Sequence, residues 1–179
     1  RGYGDWSVSS RFHGDLSRIV EKIQEAGFTP GIWVAPFLVD YFSPIGVRHP
    51  KWLAHNANGE IEFAAGGNGG VAVLDPTHPD SEKFLYELFT GLKALGFRYF
   101  KIDFISRLLN AAQFHNGGTA LETVEHGLKI IRRAVGEDSL LTGCGMPLHS
   151  GYGIVDAMRI AGDISTYWSN ILASAREMS

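Results

Sequence analysis

The chain has 179 residues and carries 16 Lys and Arg against 19 Asp and Glu, which gives a formal net charge of −3. This balance argues against a nucleic-acid partner, which needs a basic face, and against a membrane surface, which attracts an excess of Lys and Arg. Hydrophobic residues at 45% and charged residues at 20% are the proportions of a folded domain rather than of a disordered chain.

The first predicted elements are a helix and a buried strand. Apolar residues recur at helical spacing through residues 15–26, and Gly27 follows in the position that commonly ends a helix. The apolar run 31–35 is stopped by Pro36 and has the length and the branched side chains of a buried strand.

Residues 40–75 show no regular period and are predicted to form a long irregular excursion. The pair Asn58-Gly59 is a hairpin signal inside it, and residues 66–70 are a glycine-rich cluster. A short strand is expected at 71–74. A connection of this length in a compact domain is usually functional or disordered.

Helices and strands alternate in the second half of the chain. Helices are predicted at 80–95 and 119–135, and strands at 98–104, 139–143 and 157–160.

This alternation predicts an α/β fold with a parallel sheet, either an open doubly wound sheet or a closed barrel. A GxGxxG motif after a strand is lacking, so a dinucleotide-binding fold is not supported. Polar residues stand at the carboxyl ends of three predicted strands, at Asp103, Cys144 and Asp163. Active sites lie at that edge in a (β/α)8 TIM barrel, which takes about 250 residues. In that case residues 1–179 would be a single fragment of such a barrel, about half of it, with the central strands and their helices.

The first residue is Arg1 rather than Met, and every apolar run falls short of the ~20 residues that a membrane span requires. We expect the chain to be an internal piece of a longer protein. The single cysteine, Cys144, rules out an intramolecular disulfide, so nothing demands an oxidising compartment, and a cytoplasmic location is expected.

Lys101 and Asp103 are two residues apart on a predicted strand, so their side chains project to the same side, and Phe100, Ile102 and Phe104 are expected on the other. The positive charge of Lys101 is expected to keep Asp103 ionised, as a nucleophile or electrostatic stabiliser requires. A structural ion pair between the two is the alternative.

Asp163 lies in a predicted turn after Gly162, with Tyr167 and Trp168 beyond it. An acid among aromatic side chains is suited to proton donation, whereas the structural alternative is an N-cap for a helix that begins at residue 164. Arg159 is expected either to face the cavity or to pair with an acid.

Two carboxylates in different environments are what glycoside hydrolysis requires. Trp33 would suit the apolar face of a sugar ring, although a Trp in a buried strand is more often core. Cys144 lies between two glycines and could line a pocket. The seven histidines form no HxH, HxxxH or HExxH pattern, so neither a metal nor another cofactor is expected.

Four segments resemble glycoside hydrolase family 36, the melibiase-type α-galactosidases: PGIWVAPF at 30–37, YFKIDF at 99–104, GCG at 143–145 and DAMRIAGD at 156–163. Each motif is weak alone, but the four occur in order and each stands at the end of a predicted strand. An Asp pair that the family places before the initial Gly-Tyr is not in this sequence, and the glycines at 66–70 stand where the family has a polar segment.

The resemblance implies a (β/α)8 catalytic domain and a retaining double displacement on substrates with a terminal α-galactose, such as melibiose and raffinose-type oligosaccharides. In the family pattern, Asp103 is the nucleophile and Asp163 the acid and then the base. The substrate-binding positions are Trp33, Lys101, Cys144 and Arg159. A transglycosylase of raffinose or stachyose type and a non-catalytic galactoside-binding relative are the alternatives, and the presence of both acids argues against the second.

Overall fold

In the computed structural model, which describes residues 3–64, 70–163 and 165–177, the centre of the fold is a parallel sheet of four strands. The strands lie in the order β1-β4-β5-β6, which are Gly31–Val34, Tyr99–Ile102, Leu140–Gly143 and Ala157–Met158. Parallel neighbours require crossover connections, and helices supply them between β1, β4 and β5.

The two faces of the sheet differ in burial. Phe100, Ile102 and Leu141 are fully buried on one face. On the other face Trp33, Tyr99 and Leu140 are 40%, 37% and 47% exposed. Alternation along each strand produces this division, because paired residues in the parallel register share a face. In a closed barrel the open face is the interior.

Three longer helices accompany these strands, and a further one ends the described chain: α1 is Ser17–Glu25, α3 is Pro79–Ala94, α4 is Ala120–Val135 and α5 is Trp168–Glu177. Helices α3 and α4 pack against each other. The ring of Phe89 in α3 lies 5.9 Å from that of Phe100 in β4, which places α3 against the buried face. Thr119 and Glu122 form a capping box that fixes the start of α4.

Between β1 and α3 the chain makes a small antiparallel pair and a short helix. Strand β2 is Leu38–Asp40, strand β3 is Val71–Val73 and helix α2 is Pro44–Arg48. The hairpin predicted at Asn58-Gly59 is present, since His55 and Ile61 pair across it and Gly59 has a φ of 79°. Residues 65–69, which contain most of the predicted glycine cluster, lie outside the described residues.

The predicted elements are found with ends shifted by a few residues, and the parallel sheet is confirmed. The strand expected at 71–74 is real but belongs to the antiparallel pair rather than the parallel sheet. Across the described ranges, the helices are all too short or too polar to cross a membrane.

Candidate active site

The predicted site residues lie at one edge of the parallel sheet. Asp103 directly follows β4, Cys144 directly follows β5 and Arg159 directly follows β6. Main-chain hydrogen bonds continue across this edge: the Asp103 amide donates to Val34 O, and the Cys144 amide donates to Ile102 O, at 2.9 and 2.8 Å. The strand ends are therefore held in register, and their side chains meet at one rim.

Both oxygens of the Asp103 carboxylate are hydrogen-bonded. The indole Nε1–H of Trp33 donates to Oδ2 at 3.0 Å, and the amide of Phe104 donates to Oδ1 at 2.7 Å. The thiol of Cys144 also interacts with this carboxylate. Lys101 Nζ lies 3.9 Å from Oδ2, on the same side of β4 as expected. The carboxylate is thus oriented by hydrogen bonds at both oxygens, with one cation nearby.

These contacts outweigh the effect of burial on the pKa of Asp103. Partial burial raises that pKa, whereas the hydrogen bonds from Trp33, Cys144 and Phe104, followed by the charge of Lys101, lower it. The resulting pKa lies below the ordinary value for Asp, and the side chain is ionised at neutral pH. The expectation that Asp103 stays ionised is correct, but Lys101 contributes least to the lowering of its pKa.

Phe104 does not continue the alternation of β4, contrary to the expectation from strand spacing. Its φ is 58°, in the left-handed region that a bulky side chain rarely adopts. The turn aims its amide at Asp103 and brings its ring to within 6.2 Å of the Trp33 ring, on the open face. Strand geometry ends at Ile102, and the expected side for Phe104 is therefore wrong.

Trp33 belongs to an aromatic cluster of four residues, Tyr3, Trp6, Trp33 and Phe104. Their ring centroids lie 6.2–6.4 Å apart, most of them in edge-to-face contact. Trp33 is 40% exposed, so it lies at the open face and not in the core. Sequence reasoning missed Tyr3 and Phe104, because neither the left-handed turn nor the contact with the start of the chain leaves a local pattern.

Cys144 is fully buried, so it does not line an open pocket in this structure as the sequence suggested. Burial raises the pKa of its thiol, and the hydrogen bond to Asp103 and the negative charge of Asp103 raise it further. The residue is a protonated donor to the carboxylate rather than a nucleophile.

Asp163 is ion-paired with Arg159, with Arg159 Nη1 2.6 Å from Oδ1. Its side chain is 89% exposed, which corrects the expectation of an aromatic surrounding. The N-cap alternative is wrong as well, because the next helix, α5, begins at Trp168. The hydrogen bond to Asp163 raises the pKa of Arg159, and the negative charges of Asp163 and Asp103 act in the same direction. Arg159 therefore interacts with both carboxylates, with Asp163 through an ion pair and with Asp103 through its charge.

Arg132 of α4 anchors the strand that precedes Arg159. It pairs with Asp156 at 2.6 Å and donates to the carbonyl oxygens of Ile154, Gly136 and Ser139. Asp156 also accepts the amide of Leu141 at 2.6 Å. This ion pair, which sequence reasoning did not find, joins α4, β5 and the start of β6.

Among the described side chains, no three His, Cys, Asp or Glu residues are grouped so that they could hold a metal ion.

Comparison with known families agrees with this arrangement. The family model described as Melibiase matches residues 1–129, well over half of the chain. The chain belongs to the Melibiase family. The matched range includes β1 and β4 and hence Trp33, Lys101 and Asp103.

Among the relatives of this Melibiase chain is α-galactosidase AgaA of Geobacillus stearothermophilus, 34% identical over 59 residues, which are 32% of this chain and 8% of the relative. A solved structure of TtGalA, an α-galactosidase of Thermus thermophilus in complex with stachyose, superposes with a TM-score of 0.81 at 28% identity and covers 99% of this chain. A GH31 sulfoquinovosidase from E. rectale shares the fold, with a TM-score of 0.63 at 16% identity over 86% of this chain and 23% of its own.

The resemblance to melibiase-type α-galactosidases is therefore confirmed, as is the predicted fold class, a part of a TIM barrel. The chain spans 38% of the length of the Thermus enzyme.

Proposed function

We propose that the protein is a retaining α-galactosidase that hydrolyses terminal α-galactosides, with residues 1–179 contributing one continuous part of a single catalytic barrel. The observation that carries this proposal is the Asp103 carboxylate, which is ionised and held by hydrogen bonds at both oxygens at the sheet edge that also carries Arg159, the partner of Asp163. A binding protein has no need for an oriented carboxylate with a lowered pKa at the same sheet edge as a second acid.

In the proposed first step, an oxygen of Asp103 attacks the anomeric carbon of galactose and forms a C–O bond. The glycosidic C–O bond breaks, and Asp163 in its protonated form gives its proton to the leaving oxygen. In the second step Asp163 takes a proton from water, and the water oxygen displaces Asp103 from the anomeric carbon. The two carboxyl groups of a retaining pair are expected to lie roughly 5–5.5 Å apart when the substrate is bound.

The substrate class is inferred from the relatives together with the site. TtGalA has been solved with stachyose and with p-nitrophenyl α-D-galactopyranoside, and AgaA with raffinose. We propose oligosaccharides of this kind as substrates. Lys101 and Arg159 at the rim are the described cations that would bind the sugar hydroxyl groups, and the exposed ring of Trp33 would cover its apolar face.

The decisive experiment replaces Asp103 in the full-length gene product. Asp103→Ala is expected to lower kcat on p-nitrophenyl α-galactoside at least about 10³-fold, because the attacking oxygen is lost. Azide is expected to restore turnover by attacking from the vacated side, and the product is β-galactosyl azide. A variant that keeps near-normal activity, or azide rescue that yields the α-anomer, would contradict the proposal.

Asp163→Ala tests the other acid. The loss of a proton donor is expected to slow substrates with poor leaving groups, such as raffinose, far more than nitrophenyl substrates. Equal losses on both substrates would argue against general acid catalysis. New oligosaccharides formed in the presence of excess acceptor sugar would favour the transglycosylase alternative over hydrolysis.

A further inference from the structure

We infer that Trp33 is a positioning residue for the nucleophile: its indole N–H fixes Oδ2 of Asp103 and thereby sets the orientation in which the carboxylate attacks. This inference rests on the proposed function, since it assigns the residue that orients Asp103 for that reaction. It goes beyond a role in covering the sugar, because it concerns the carboxylate rather than the substrate.

The two hydrogen bonds to Asp103 come from different elements and reach different oxygens. Trp33 lies on β1 and donates to Oδ2, whereas the Phe104 amide follows Asp103 in the chain and donates to Oδ1. A carboxylate bonded at one oxygen can still turn about its terminal torsion, which is soft. Bonds at both oxygens remove that freedom, so the Trp33 bond is the one that locks the rotation.

The indole is itself held in place. Trp33 stands opposite Lys101 in the register of β1 with β4, which puts its side chain on the Asp103 side of the sheet. The rings of Tyr3, Trp6 and Phe104 surround it at 6.2–6.3 Å. The indole N–H is therefore aimed by packing that exists before any substrate arrives, which is the preorganisation that a catalytic group requires.

No other described group replaces this bond. Lys101 Nζ is 3.9 Å from Oδ2, beyond hydrogen-bond distance. The remaining titratable groups that act on Asp103 from the neighbouring strand ends are Cys144 after β5, whose thiol contributes to the lowered pKa of Asp103, and Arg159 after β6, which interacts through its charge. Neither is on β1, so neither constrains Oδ2 from the direction of Trp33.

The test compares two substitutions that each remove an indole N–H from the aromatic cluster. Trp33→Phe removes the donor to Asp103. Trp6→Phe is the matched control, because Trp6 Nε1 is buried and no described residue accepts a hydrogen bond from it. The loss of ring packing is similar in the two variants, since both rings contact Tyr3 and each other.

For Trp33→Phe in the full-length gene product, kcat on p-nitrophenyl α-galactoside is expected to fall about tenfold or more, as for the loss of a hydrogen bond to a charged group. The acid limb of kcat/KM is expected to move to higher pH, because a contact that lowers the pKa of Asp103 is gone. Trp6→Phe loosens the packing around Trp33 but leaves the Trp33 bond to Asp103 in place. Its kcat is therefore expected to fall less than that of Trp33→Phe, and its acid limb to stay at the wild-type position. If Trp33 only covers the sugar, KM rises while kcat and the acid limb stay unchanged, and the inference fails.

A second variant guards against misfolding. Benzothienylalanine at position 33 replaces the indole N–H by sulfur and keeps the size of the ring. It is expected to reproduce the kcat loss and the pH shift of Trp33→Phe at an unchanged Tm, and wild-type kinetics with this residue would overturn the inference. The Asp103→Ala result separates the two levels: an active Asp103→Ala variant refutes the proposed function. If Asp103→Ala is inactive and Trp33→Phe and Trp6→Phe show the same kcat and the same acid limb, only the positioning role of Trp33 is refuted.

Discussion

Gly127, in the middle of α4, is the residue at which a single added methyl group has a calculable cost. A Cβ at this position would lie 2.6 Å from Cζ and 2.8 Å from Cε1 of Phe37, far inside the ~3.5–4.0 Å of an optimal contact. Phe37 is fully buried and cannot swing away. In Gly127→Ala, the helix preference of Ala therefore stabilises the fold, whereas the clash with the rigid ring of Phe37 destabilises it.

The two contributions have different sizes. Ala is favoured over Gly in a helix interior by about 1 kcal/mol, whereas overpacking of a core costs typically ~1–3 kcal/mol. We expect Gly127→Ala to lower the free energy of unfolding by about 1 kcal/mol. Gly91→Ala in α3 is the matched control, because a Cβ there meets nothing within 4 Å. Gly91→Ala gains the helix preference of Ala without a clash, and we expect it to raise the free energy of unfolding by ~0.5–1 kcal/mol.

Urea unfolding followed by far-UV circular dichroism measures both changes. In the full-length gene product, the two variants are expected to shift Tm in opposite directions. Phe37→Leu added to Gly127→Ala should cost less than the sum of the two single changes, since the smaller side chain makes room. Equal stabilisation by both Ala substitutions would refute the close approach of α4 to Phe37.

Two further predictions concern the pair of Arg132 and Asp156. Arg132→Met is expected to cost about 2–3 kcal/mol in urea unfolding, because the side chain is only 11% exposed and its loss removes the cation from Asp156 and the donors from three carbonyl oxygens. Lys129→Met, which breaks an exposed pair on the same helix, should change stability by less than ~0.5 kcal/mol. Partial burial raises the pKa of Asp156, but the Leu141 amide and Arg132 outweigh it and the pKa is lowered. Its stabilising effect is thus complete above the ordinary Asp pKa of about 3.9 and is lost as the pH falls through the lower folded-state value. Asp156→Asn should flatten the decline of stability with acid, and an unchanged acid slope would contradict this assignment.

The longer elements could be predicted from the sequence because their patterns are local. Helix α4 repeats apolar residues at the helical period between a capping Thr119 and Gly136, and its predicted and observed bounds nearly coincide. Strand β2 and helix α2 were not predicted. At three and five residues they are too short to show a period, and tertiary contacts hold them.

The part of the candidate site that lies directly after the strands could be predicted from the sequence. Asp103, Cys144 and Arg159 lie at one edge because parallel strands share a direction. The bond from Trp33 to Asp103 joins residues 70 positions apart, and the left-handed turn at Phe104 has no sequence signal in a non-glycine residue. The exposure of Asp163 depends on how the chain leaves β6, which neither spacing nor composition specifies.

The strand order has a consequence for how far each carboxylate can move. Asp103 follows β4, which is hydrogen-bonded to β1 on one side and β5 on the other, so its backbone amides should be among the slowest in the sheet to exchange with deuterium. Asp163 follows β6, a two-residue strand bonded to β5 alone in the described sheet. The backbone at Asp103 is therefore held from both sides, whereas Asp163 lies beyond the end of β6 and takes part in no described strand pairing. Under the proposed mechanism, adjustment of the chain after β6 would accommodate leaving groups of different size while the orientation of Asp103 stays fixed.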